Sequence, residues 1–118
     1  MGESACDALI APIYTKVPEV QTTILAHGGE VQIHLQSRAD TKEKAEHRVE
    51  ELAGKLEEEL DDSVISSGGE SIEQIVGYFL QMRGATLAVA ESCTGGMMAE
   101  RITSVSGSSR YFLGGVVV

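Results

Sequence analysis

Apolar and polar positions alternate between two periods along this chain, and the switches between them mark its elements. Leu9, Ile10 and Ile13 recur at helical spacing, so a short helix is expected from Glu3 to about Tyr14, with Ser4 as its candidate cap. Pro12 sits inside that stripe and is expected to end or kink the helix. Pro18 lies in an extended connection. From Val20 to Gln36 the period becomes two, and Gly28-Gly29 reads as a two-residue turn. With His27 opposite Glu30, residues Ile24, Ala26, Val31, Ile33 and Leu35 share one face. Thr23, His27, Glu30, Gln32 and His34 take the other, with Leu25 as the exception, so one face is buried and one wet.

The strongest helix signal runs from Asp40 to about Leu60. Asp40 and Glu43 have capping-box spacing, and Ala45, Val49, Leu52, Ala53, Leu56 and Leu60 form an apolar stripe. Gly54 weakens this helix by up to about 1 kcal/mol relative to alanine. A short strand is expected over Ser63 to Ser67, through Val64 and Ile65. Ser66-Ser67-Gly68-Gly69 then reads as a domain boundary.

Beyond it, Ser71 and Gln74 form a second capping box, followed by the stripe Ile72, Ile75, Val76, Phe79 and Leu80, with Gly84 as the stop. Thr86 to Ala90 reads as a strand. A helix from about Gly95 to Val105 follows, with Met97 and Met98 as core filler, and Gly107 ends it. Tyr111 to Val118 begins another strand. The fold class is therefore α+β: an α-β-β-α-β domain over 1–67, then an α/β segment over 68–118 with order αβαβ. A ligand on such a sheet is expected at the C-terminal ends of its strands.

Composition adds constraints. Without tryptophan, and with 4% aromatic residues, aliphatic side chains must fill the cores. No apolar run approaches the roughly 20 residues that span a bilayer, and Met1 to Asp7 has neither the basic nor the apolar region of a secretory signal. Cys6 and Cys93 make neither a metal spacing nor a disulfide framework, which points to the cytoplasm. The formal net charge is −9. Residues 1–82 carry −10, and residues 83–118, with Arg83, Arg101 and Arg110 against Glu91 and Glu100, carry +1. The acidic part should repel nucleic acid and anionic lipid, whereas the C-terminal part tolerates a phosphorylated small ligand.

The chemistry concentrates in Ala90-Glu91-Ser92-Cys93-Thr94-Gly95-Gly96. It places a serine hydroxyl between a strand and a glycine-built helix start, where free N–H groups favour oxyanions and anionic ligands. Ser92 is the candidate nucleophile, and its bland alternative is a turn serine bonding its own backbone. Cys93, with no histidine signature, reads as a small buried hydrophobe. Thr94 suits both the site and the helix N-cap. Ser108 and Ser109 either bind a phosphate or cap a turn, and Glu91 either orients the site or pairs with an arginine. His27, His34 and His47 form no ligand set, so neither metal nor cofactor is expected.

At these residues the chain resembles the CinA family. The likeness is carried by Ala90 to Gly96, by Gly107-Ser108-Ser109-Arg110-Tyr111-Phe112, and by Gly114-Gly115-Val116-Val117. Upstream, Gly2-Glu3-Ser4, the hairpin around Gly28-Gly29-Glu30-Val31 and the Glu-rich helix resemble the family's KH-like middle domain. The resemblance implies a nicotinamide-nucleotide amidase, which hydrolyses the carboxamide of nicotinamide mononucleotide to nicotinate mononucleotide and ammonia. It makes Ser92 the nucleophile and lets Thr94, Gly95 and Gly96 offer N–H groups to the oxyanion or ligand. It also implies a lysine base in a Tyr-Ser-x-x-x-Lys segment following the glycine-rich strand, a segment that residues 1–118 do not contain. This polypeptide alone is therefore expected to lack useful amidase activity.

Two other functions compete. A KH-type nucleic-acid module would need a Gly-x-x-Gly loop with basic flanks, and the acidic half has neither. A spacer or oligomerisation role suits residues 1–67 better. The apolar end Val116-Val117-Val118 is expected to be unpaired, so disorder, homo-oligomerisation or strand swapping is expected around 85–118.

Overall fold

The structure is a computed structural model and describes all of residues 1–118. It divides into two compact units, Met1–Val64 and Ile65–Val118. The class is the expected mixed α+β arrangement, built from four α-helices and two small sheets.

In the first unit, α1 (Glu3–Tyr14) and α2 (Lys42–Leu60) cover one face of a hairpin, β1 (Val20–His27) and β2 (Glu30–Ser37). The hairpin register is the expected one. His27 pairs with Glu30, Ile24 with Ile33 and Thr23 with His34, while Gly28 and Gly29 take the positive φ that the tight turn requires. Because side chains alternate across a strand, this register sends Ile24, Val31, Ile33 and Leu35 to the helices and leaves Leu25 exposed. The core is Cys6, Ile10, Val20, Leu52 and Leu56.

Four local expectations need correction in this unit and at its boundary with the second. The N-cap of α1 is Gly2, not Ser4. The helix continues through Pro12 to Tyr14, since a proline this close to the C-terminus removes a single ladder bond while Ile10 and Ile13 pack on the core. The N-cap of α2 is Thr41, whose hydroxyl accepts from the Lys44 N–H at 3.3 Å, so Asp40 lies outside the helix. No strand forms over 63–67. Asp61–Ser63 is a 3-10 turn, and the Ser66 hydroxyl, by accepting from the Gly68 and Glu70 N–H groups, folds the next residues into a local turn. A side chain that offers the backbone a nearby partner competes with strand pairing in this way.

In the second unit the expected αβαβ order is present: α3 (Ile72–Met82), β3 (Leu87–Glu91), α4 (Met97–Thr103) and β4 (Phe112–Val117). The Ser71–Gln74 capping box forms in both directions. β3 and β4 pair in parallel, and α4 packs on both. Val116 and Val117 pair with Ala90 and Glu91, and the Val118 N–H donates to the Glu91 carbonyl at 2.8 Å. The expectation of an unpaired strand end is thus corrected: β3 itself supplies the partner. Met97 and Met98 are exposed rather than core filler, because α4 is only 7 residues long and turns Ala99 and Ile102 inward instead.

Candidate functional site

Ser92 follows the last residue of β3, at the C-terminal end of the sheet. It is exposed, and its hydroxyl contacts only the Cys93 sulfur, at 3.6 Å. No lysine or histidine side chain hydrogen-bonds it. The turn that carries it is tightly wound. Cys93 has φ 70°, Gly95 φ 62° and Gly96 φ 96°. Glycine adopts such values at little cost, but a cysteine does so only where its surroundings hold it there. Cys93 is exposed, which corrects the reading of it as a buried hydrophobe: it lies in the turn beyond the end of β3, not in a packed element.

Glu91, the last residue of β3, is 5% exposed and the chain's one buried charged side chain. One carboxylate oxygen accepts from the Met98 N–H at 2.6 Å and from the Thr94 hydroxyl at 2.9 Å. The other accepts from the Ala99 N–H at 3.1 Å. Burial works to raise this carboxyl, but the three hydrogen bonds outweigh it and hold the group below the usual carboxylate range. Of the two roles open to Glu91, pairing with an arginine is not what the structure shows. Arg101 pairs instead with Glu73 on α3.

This arrangement changes the expected amide cradle. The N–H groups of the first turn of α4 are already taken, that of Met97 by the Thr94 carbonyl and those of Met98 and Ala99 by Glu91, so they are closed to a ligand. Thr94 is not the N-cap: Gly96 is, and the Thr94 hydroxyl donates inward. The amides that remain are those of the turn itself. The backbone N–H groups of Cys93, Thr94, Gly95 and Gly96 donate to no protein acceptor.

Ser108 and Ser109 lie elsewhere. They form a 3-10 turn just before β4. Parallel pairing sets Phe112 beside Leu87, at the start of β3, whereas Ser92 follows its end. Roughly 13 Å of strand separates those ends, at about 3.3 Å per residue. The structure therefore brings Ser92, Thr94, Gly95 and Gly96 together and leaves Ser108 and Ser109 at the opposite rim, where Ser108 is buried. The sequence offers an orienting role for Glu91 but not its partners, the Thr94 hydroxyl and the Met98 and Ala99 N–H groups. An acidic residue ending an otherwise apolar strand beside a glycine turn was the available signal.

No cluster of three or more His, Cys, Asp or Glu side chains could hold a metal ion. No helix is long and apolar enough to cross a membrane.

Residues 1–66 match the family described as the damage-inducible protein CinA KH domain, and residues 69–118 match the CinA C-terminal domain. A CinA-like protein of Koribacter versatilis is 66% identical over 118 residues, which is 100% of this chain and 28% of that protein. CinA-like proteins of Acidobacterium capsulatum and Solibacter usitatus are 58% and 49% identical, over 100% and 99% of the chain and again 28% of their own lengths. The chain thus spans 28% of the length of these curated relatives. Both matched regions and these identities agree, and the chain belongs to the CinA family.

Proposed function

We propose that this chain supplies the nucleophile and the oxyanion-binding amides of a serine amidase acting on nicotinamide mononucleotide. The observation that carries the reading is the exposed Ser92 hydroxyl at the sheet's C-terminal edge, beside four backbone N–H groups without acceptors. Hydrogen-bond donors fixed in place around a developing negative charge are a large source of rate.

The chemistry follows from those parts. The Ser92 oxygen attacks the carboxamide carbon while its proton passes to a base. The carbonyl oxygen becomes an oxyanion held by N–H groups of Thr94, Gly95 and Gly96. The C–N bond then breaks, the base returns the proton, and ammonia leaves. Water hydrolyses the resulting serine ester to the carboxylic acid. As written, the sequence consumes one water and needs no cofactor.

The base is the part that residues 1–118 lack. All four lysines, Lys16, Lys42, Lys44 and Lys55, belong to the Met1–Val64 unit. We assign the base to the lysine of the Tyr-Ser-x-x-x-Lys segment implied by the family, outside these residues. The 118-residue chain alone then has no useful turnover. The acidic first unit, with no Gly-x-x-Gly tetrad, serves as a spacer or oligomerisation module, and the setting is cytoplasmic.

The test is ammonia release from nicotinamide mononucleotide by the protein extended to the length of its relatives. Ser92→Ala should reduce turnover by about a thousandfold or more. An inactive extended wild type, or an equally active variant, refutes the assignment.

A further inference from the structure

We propose that Glu91 is the positioning residue of the Ser92 turn, a buried carboxylate that clamps residues 92–96 onto the start of α4. The proposal deepens the amidase reading and rests on it for its catalytic consequence alone.

A carboxylate removed from water is costly unless it is paired and hydrogen-bonded. No cation neutralises Glu91, and its compensation comes from the Met98 and Ala99 N–H groups and the Thr94 hydroxyl. All three donors lie beyond Ser92 in the chain. The side chain just before the nucleophile thus reaches across the turn and ties down residues 94, 98 and 99. Its backbone carbonyl is fixed as well, by the Val118 N–H at 2.8 Å. What it spans is the segment with φ 70° at Cys93, 62° at Gly95 and 96° at Gly96. The glycines take such values freely, but at Cys93 the conformation persists only where its surroundings determine it. An apolar side chain could fill the same space, but it would leave the Met98 and Ala99 amides without acceptors. The charge therefore supplies turn geometry, which is what a serine nucleophile needs to meet its substrate at a set angle.

Two measurements decide it. In the 118-residue wild type, amide resonances are followed by NMR as pH falls from 7 through the carboxylate range. Met98, Ala99 and residues 92–96 should shift together in one titration. Glu91→Gln should abolish that titration, displace the 92–96 resonances, and speed exchange of the Met98 and Ala99 amides about tenfold. A titration that leaves 92–96 unmoved, or a Gln variant with wild-type turn resonances, overturns the clamp. Should the variant not fold, the wild-type titration still decides. In the extended protein, Glu91→Gln should lower kcat about a hundredfold and leave KM within about twofold. A fall in thermal stability with kcat unchanged would mean that Glu91 serves folding only. If the extended wild type shows no amidase activity, the amidase reading fails, while the NMR arm still decides the clamp.

Discussion

The ring of Tyr111 occupies the space that any side chain on Gly77 would need. A Cβ built on Gly77 would overlap the Tyr111 hydroxyl oxygen and lie 2.7 Å from Cζ. Tyr111 is the most deeply buried large residue of the second unit, and its hydroxyl has no hydrogen-bond partner. Gly77→Ala should therefore destabilise the Ile65–Val118 unit by about 1–3 kcal/mol through overpacking. Tyr111→Phe should cost little or nothing, because the hydroxyl it removes is unsatisfied. Chemical denaturation of the two variants checks both.

The core of the first unit makes a contrasting prediction. Leu52 is 1% exposed and packs with Cys6, Ile10, Val20 and Leu56. Leu52→Ala should cost about 2–5 kcal/mol by leaving a cavity. Hydrogen exchange should show the loss in residues 1–64 and spare β3 and α4.

The cap of α2 separates two readings of one segment. Thr41→Ala should cost about 1 kcal/mol, the usual loss for a hydroxyl cap, and Asp40→Ala much less. Denaturation midpoints compared at equal m-values decide between them.

The two thiols should differ sharply. Cys93 is exposed, whereas Cys6 is buried and its pKa is raised chiefly by that burial. A small thiol reagent at neutral pH should modify one thiol per native chain, mapped to Cys93, and both only in denaturant. Native labelling of Cys6 would contradict the packing of α1.

Acid should destabilise the second unit. Glu91, Glu73 and Glu70 all lie in it, each held below the ordinary carboxyl value of 4.5. For Glu91, three hydrogen bonds overcome the opposing effect of burial. The Glu73 carboxyl is held mainly by its own backbone N–H and then by Arg101, and that of Glu70 by the Ser66 hydroxyl. A carboxyl depressed in the folded state contributes stability that is present above its unfolded pKa. That stability is lost as pH falls through the folded value. Thermal scans from pH 7 downward should therefore show constant stability to about pH 5, then a decline below the ordinary carboxyl value. Replacing Glu91 by Gln should flatten that decline.

Periodicity made the hairpin, its register, α3 with its capping box, and the αβαβ order of the second unit legible from sequence alone. What it missed was settled by local competition. At 63–67 the side chain of Ser66 captures the backbone that β-propensity assigns to a strand. At α2 one hydroxyl outcompetes the neighbouring acid for the cap. In the site, the position of Ser92 follows from strand, turn and helix. The separation of Ser108 and Ser109 depends on the direction of strand pairing, which short motifs do not encode. The Glu91 clamp depends on contacts three to eight residues away, which become specific only once α4 is folded over the strand.

The most direct measurement traps the bond the account requires. The protein, extended to the length of its relatives, is quenched in acid during turnover of nicotinamide mononucleotide, and the tryptic peptide 84–101 is sequenced by mass spectrometry. A nicotinate mononucleotide ester on the Ser92 oxygen is expected, absent from Ser92→Ala. Turnover with the adduct on Cys93, on another residue, or on none would contradict it.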